Sequence, residues 1–246
     1  ALGYYALAAN TTGTLNTAVG VALWSNTTAN DNTAMGYYAL AANTTGTQST
    51  AVGKDAGLAI TTGSGHTAFG FSALKAATTI DYGFAIGYEA GVANTSGTQN
   101  TFVGNFSGDS VTTGGDNTMV GFQAGGAVTT GTQNTTYGHR SGDNITTGNT
   151  NTLIGAAVDG SGTGTSNANG LGYNLSCQDN YTTIGQGSAD CRNAHGEATW
   201  ATVSDERVKK DIEDSTVGLA FINDLRPVTF NYKNKGDLPE NFRGYE

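Results

Sequence analysis

The sequence has little proline, cysteine or charge. Its 246 residues include two prolines, two cysteines and 13% charged side chains, whereas about 25% charge is usual in a globular protein. No stretch approaches the ~18 consecutive apolar residues of a membrane-spanning helix. The net charge of −9 argues against general binding to nucleic acids or anionic membranes. Glycine is abundant, with 37 residues, and this composition alone would be compatible with a disordered polymer.

The composition changes near Trp200. Residues 201–246 carry 16 of the 31 charged side chains and both prolines, whereas residues 1–200 carry 34 of the 37 glycines and no proline. The sequence therefore predicts two parts. Because the chain opens inside a repeat, we also expect its natural N-terminus to lie further upstream.

One glycine column recurs along the first part. Every interval is 17 residues except one of 16 between Gly20 and Gly36, and a last member, Gly185, follows after 13. A large apolar residue precedes nearly every one of these glycines, and a threonine usually stands three positions before it. A second recurring motif, Thr-Thr-Gly, lies between many of these glycines. The glycine column comprises Gly3, Gly20, Gly36, Gly53, Gly70, Gly87, Gly104, Gly121, Gly138, Gly155, Gly172 and Gly185.

A period of 17 residues is too short for a pair of helices and suits one coil of a parallel β-solenoid. We expect two short strands per coil, joined by turns in which glycine and asparagine adopt positive φ. We expect the apolar residue before each glycine to point inward. The intervening column, which runs from Ala18 to Leu153, should then point outward although it too is mostly apolar.

A strand that is apolar on both faces is covered on both faces. The roll covers one face, and another copy of the same chain is the simplest cover for the other. The alternative is a monomeric solenoid with a modestly apolar surface. Either way, the ten intervals from Gly3 to Gly172 predict a rod of about 50 Å, at ~4.8 Å per coil.

The segments NTAVGVAL (16–23), NTAMGYYAL (32–40) and STAVGKDAG (49–57) resemble the head repeat of trimeric autotransporter adhesins. That resemblance implies a left-handed parallel β-roll with three chains to a head. The coil of that family is shorter, and the Thr-Thr-Gly segment here resembles an insertion in one turn.

The charged second part resembles the intramolecular chaperone domain, or peptidase S74, of phage tail fibres and tailspikes. The resemblance rests on S-D-x-R-x-K-x-x-I at 204–212, L-R-P-V-x-F-x-Y-K at 225–233 and G-Y-E at 244–246. It implies a domain that trimerises, aligns three chains while the β-fibre folds, and then cuts the chain beside a serine. It also implies that Ser204 is the nucleophile and Lys209 the general base, with Asp205 and Arg207 as supporting motif positions.

The residues alone also fit a helix start, with Ser204 as N-cap and Lys209 in solvent. With the resemblance, the sequence predicts at most a single-turnover autoproteolysis by a Ser-Lys dyad, in which a desolvated lysine amine takes the proton of the serine.

Other signals are weaker. Cys177 and Cys191 are expected to form a disulfide or buried thiols, and a shared metal site with His195 is the less favoured alternative. Gly46 and Lys54 lack the spacing of a phosphate-binding P-loop, so they do not indicate a nucleotide. No cofactor or metal is therefore predicted. Exposed tyrosines after the glycine column could bind glycans, although packing between subunits is the favoured reading.

The predicted organisation is a β-roll over residues 1–172, a neck over 173–203 and the start of a small α+β chaperone domain over 204–246. The predicted function is a homotrimeric tail fibre or tailspike in the virion tail, which attaches to a host-surface glycan or protein and contacts other tail proteins. The alternatives are a bacterial trimeric surface adhesin and the non-catalytic end of a glycan-degrading tailspike.

Overall fold

The computed structural model describes residues 1–197 and the backbone of residues 201 and 202. These residues form a parallel β-solenoid of about ten coils, which confirms the predicted all-β solenoid with 17-residue coils. They contain no helix, and thus none that could cross a membrane.

The solenoid is built on one long sheet to which each coil contributes a short strand. Threonine pairs with threonine along the strands, as in Thr17 with Thr33 and Thr50 with Thr67, so the register follows the repeat. The 16-residue coil keeps this register. The first nine strands have three residues each: β1 Thr17–Val19, β2 Thr33–Met35, β3 Thr50–Val52, β4 Thr67–Phe69, β5 Phe84–Ile86, β6 Thr101–Val103, β7 Thr118–Val120, β8 Thr135–Tyr137 and β9 Thr152–Ile154.

The predicted second strand in each coil is wrong for these coils. The rest of each coil is turns, in which leucine and glutamine as well as glycine adopt positive φ, such as Leu74 at 50° and Gln133 at 58°. Backbone hydrogen bonds still join successive coils there, as from the Leu40 N–H to the Ala56 carbonyl at 3.0 Å. Left-handed residues interrupt the extended geometry of a strand without breaking this ladder.

The last coils end in a small antiparallel addition. The solenoid sheet continues through β11 (Asn169–Tyr173) and β13 (Tyr181–Gln186), while β10 (Asp159–Gly160) and β12 (Ser176–Cys177) form a second, two-stranded sheet. From β13 the chain turns back through Gly187 and Ser188 into β14 (Ala189–Ala194), which pairs in turn with β15 (Ala201–Thr202). The antiparallel strands thereby cover the edge that β13 would otherwise expose.

The interior is the reverse of the prediction. The column predicted to point outward is buried, from Ala18 at 1% exposure through Phe102 and Leu153 at 0%, whereas Phe69 and Tyr137 of the column predicted to point inward are 53% and 59% exposed. We call these the inner column and the apolar column. Two residues before each inner-column position stands a third column, often asparagine, and strand alternation places it inside as well.

Glycine makes room where the inner column is large. In coils with Ala34 or Ala68 in the inner column, a leucine (Leu40 or Leu74) follows six residues later and fills the interior. After Phe102 the same position is Gly108, and a Cβ there would overlap the phenylalanine ring. Phe102 and Gly108 therefore share one space, and where both positions are small, as in Ala51 with Gly57, side chains of neighbouring positions such as Leu40 and Ile60 fill the interior.

Two polar ladders run along the coils and satisfy their backbone. Inside, the Asn134 N–H donates to Oδ1 of Asn117 at 3.0 Å, and Nδ2 of Asn134 donates to the Gly148 carbonyl at 2.9 Å. At the Thr-Thr-Gly turns, Oγ1 of Thr112 donates to the carbonyl of Thr129 at 3.2 Å, and the same bond recurs in successive coils. Each such bond contributes about 1 kcal/mol, so the repeat gains stability from every coil added.

Candidate interaction surface

The outer side of the solenoid sheet is an uncharged face that carries large apolar side chains. It consists of the threonine column and the apolar column, which flank the inner column in each strand and point away from the interior. Together they form the outer sheet face. The apolar column comprises Val19, Met35, Val52, Phe69, Ile86, Val103, Val120, Tyr137, Ile154, Leu171 and Ile184, and the threonine column comprises Thr17, Thr33, Thr50, Thr67, Phe84, Thr101, Thr118, Thr135, Thr152, Asn169 and Thr182.

Charge lies on other parts of the coils. Asp109 and Asp143 occupy the same turn position two coils apart, and a Cβ added at Gly126 between them would lie 3.0 Å from Oδ1 of Asp143 and 3.5 Å from Oδ1 of Asp109. Burial raises the pKa of Asp109 above its ordinary value, and the nearby charges of Asp143 and Glu89 add to this effect. Burial likewise raises the pKa of Asp159. The described residues contain no group of three or more histidine, cysteine or acidic side chains that could hold a metal ion.

An aromatic ladder follows the outer sheet face along one edge. It crosses five coils from Phe71 through Tyr88, Phe106 and Phe122 to His139, with ring centroids 5.0 to 6.0 Å apart. At its start, Nζ of Lys54 lies 5.4 Å from the centroid of Phe71. These rings stand one or two residues after the glycine column. They include the positions at which the sequence analysis noted exposed tyrosines.

The 16-residue coil has a structural explanation. It lacks the residue that corresponds to Tyr5 in the preceding coil and to Tyr38 in the following coil. The indole of Trp24 lies between those two tyrosine rings in its place. The ring of Trp24 stacks on Tyr5 at 5.5 Å and on Tyr38 at 6.2 Å. Beside them is an open cavity of about 230 Å³, lined also by Ser25 and Leu58. The three rings therefore form a stack across successive coils, in which Trp24 remains 42% exposed.

The cysteines are free thiols. Cys177 is buried, and burial raises the pKa of its thiol to about 11. Cys191 lies in β14 and its Sγ contacts the Ile184 carbonyl at 3.5 Å. His195 instead approaches Oγ1 of Thr182 at 3.2 Å and Nδ2 of Asn169 at 3.3 Å. The disulfide alternative is therefore wrong for this structure, and the buried-thiol alternative holds for Cys177.

The predicted catalytic residues Ser204 and Lys209, and the supporting Asp205 and Arg207, fall outside the described residues. Their arrangement remains a prediction from the sequence. What the described part contributes is the outer sheet face, whose sidedness the sequence reasoning missed. The asparagine column could have indicated it. These buried asparagines stand two residues before the inner column, so they lie on the same face of the strand as the inner column and not on that of the apolar column.

Comparison with known proteins identifies one part of the chain. Residues 204–243 match the family of the peptidase S74 domain, described as the chaperone of endosialidase. The match covers the charged second part and not the solenoid. No curated protein and no solved structure matches the chain.

Proposed function

We propose that the chain is part of a homotrimeric tail fibre or tailspike that attaches a virion to the host surface. The observation that carries the proposal is the order of its parts, a β-solenoid of about ten coils followed at residues 204–243 by a match to the chaperone of endosialidase. Contacts between coils stabilise each solenoid by itself, whereas contacts between chains of a fibre need equivalent coils at the same height, so the chains gain from being held in register while they fold. A chaperone segment at the C-terminal side supplies that alignment.

The proposed chemistry is a single cleavage. Oγ of Ser204 attacks the carbonyl carbon of an adjacent peptide bond and forms an ester as the C–N bond breaks. The amine of Lys209 takes the hydroxyl proton and passes it to the leaving nitrogen, and water then hydrolyses the ester. The products are a free carboxylate and a free amine, and the chaperone segment is released from the solenoid.

The match at residues 204–243 favours a fibre or tailspike over a surface adhesin. The resembled chaperone domain belongs to phage tail fibres and tailspikes, whereas the adhesin alternative rests on the head repeat. The partners of the proposed fibre are its own copies, a host-surface glycan or protein and other tail proteins.

The test is the mass of the chain after expression of the full-length gene product. Denaturing mass spectrometry should show wild-type protein cut beside Ser204, whereas Ser204→Ala and Lys209→Ala remain whole. Lys210→Ala is the matched control, because it removes the neighbouring lysine and should leave cleavage unchanged. A wild-type chain that stays whole, or a Ser204→Ala chain that is cut as the wild type is, would overturn the self-cleavage.

A further inference from the structure

We infer that copies of this chain meet along the outer sheet face, parallel and with equivalent coils at the same height. The inference rests on the proposed function, because a chaperone that holds the same segment of every chain also sets the chains parallel. It adds the surface along which the chains meet, which neither the family match nor the repeat assigns.

The first observation is the extent of the exposed apolar column. Phe69, Tyr137 and Leu171 are 53%, 59% and 51% exposed, and they are spread over most of the solenoid. Eleven levels at about 4.8 Å and strands about three residues wide correspond to roughly 500 Å² of sheet face. The largest apolar patch of a monomer is ~300–600 Å² and often marks an interaction site, so this face qualifies as one, and its period and lack of charge identify the partner.

The second observation is the period of the face. Each coil presents one apolar side chain and one threonine, or its replacement, at a spacing of about 4.8 Å. A partner must match that spacing over the whole length to bury every level. A second copy has the same spacing by construction, and parallel copies remain in step from Val19 to Ile184.

The third observation is charge. In a parallel trimer with equal heights, the residues nearest the three-fold axis lie near their own counterparts, so a charge there would face charges of the same sign. The threonine and apolar columns hold no charged residue over eleven levels, although the chain carries a net charge of −9. Unlike partners could use opposite charges, whereas identical charges gathered around a shared axis repel one another.

The test places the same charges on two surfaces of the full 246-residue chain. In the sheet-face variant, Thr118→Asp and Thr135→Asp introduce carboxylates in adjacent coils of the threonine column. In the matched control, Thr113→Asp and Thr130→Asp do so at the Thr-Thr-Gly corner of the same two coils. All four threonines are exposed and make no side-chain hydrogen bond in the described structure. Both variants therefore have the same composition, charge and spacing.

Light scattering at micromolar concentration gives the mass of each particle, and circular dichroism confirms its fold. We expect the wild type and the corner variant to be trimers and the sheet-face variant to lose the trimer. A sheet-face variant that remains trimeric, or a corner variant that dissociates equally, would overturn the inference. A wild-type monomer would instead overturn the proposed homotrimer, so the two failures are distinguishable.

Discussion

Nδ1 of His66 accepts a hydrogen bond from the backbone N–H of Gly83, one coil further on, at 3.2 Å. The imidazole stands where most coils have asparagine, and only 1% of it is exposed. It can accept this bond only while it is neutral, because a protonated imidazole carries hydrogen on both ring nitrogens. The interior ladder thus contains one titratable rung.

We expect this rung to make stability depend on pH. Burial lowers the pKa of His66 below its ordinary value of 6.5, against a weaker opposing effect of the Ile80 backbone and of Asp81. The unfolded chain therefore binds the proton more readily than the folded chain. The contribution of His66 to the free energy of unfolding is therefore fully present above pH 6.5. It is lost as the pH falls from 6.5 towards the folded-state pKa.

The measurement is the thermal midpoint of His66→Asn and of wild type at pH 7.5 and pH 5. The asparagine restores the regular rung, so the variant should lose much less stability at pH 5 than the wild type. His139→Asn is the control, because His139 is exposed on the aromatic ladder and its removal should leave the pH dependence intact. An equal acid shift in wild type and His66→Asn would contradict the assignment.

The glycine column should not tolerate alanine. Gly138 has a φ of +135°, and a Cβ added there would lie 2.5 Å from the Gly155 carbonyl oxygen of the next coil. Strain and overlap together should lower the free energy of unfolding by about 3 kcal/mol for Gly138→Ala. Gly162→Ala is the control, since a Cβ at Gly162 meets nothing within 4 Å. Chemical denaturation of both variants distinguishes them, and equal stability would refute the close approach of the coils.

The exchange of volume in the core predicts a rescue. Phe102→Ala alone should cost about 3–5 kcal/mol through the cavity it leaves. Gly108→Leu alone should fail to fold, because the new side chain would overlap the Phe102 ring. The double variant recreates the alanine and leucine pair of Ala68 and Leu74, and should be more stable than either single variant. A double variant no more stable than the single ones would show that the two positions do not share one space.

The two thiols should differ in reactivity. Cys177 is buried with a pKa of about 11, so hardly any thiolate forms at pH 8. Alkylation of the native chain with iodoacetamide should modify Cys191 well before Cys177, and denaturant should abolish the difference. Cys191→Ser should leave a native protein almost without reaction. Rapid labelling of Cys177 in that variant would contradict its burial.

Periodicity predicted the number and spacing of the coils because each position of the repeat has one structural role. It did not predict the sidedness of the strand, because the larger of two apolar columns was assigned to the interior by size. The interior is narrow enough for Ala34 and Leu40 to fill it, and the buried asparagines fix which face is inside. The positive φ of Leu74 could not be predicted either, because hydrogen bonds between coils impose it against the preference of leucine. The geometry of Ser204 and Lys209 remains a prediction from motif alone.

The most direct test of the assembly is native mass spectrometry of the full-length gene product purified without denaturant. A homotrimeric fibre joined along the outer sheet face predicts particles that contain three solenoid chains and no persistent single chain. A particle with one chain at every concentration would contradict it, because the uncharged face from Val19 to Ile184 would then remain in contact with water.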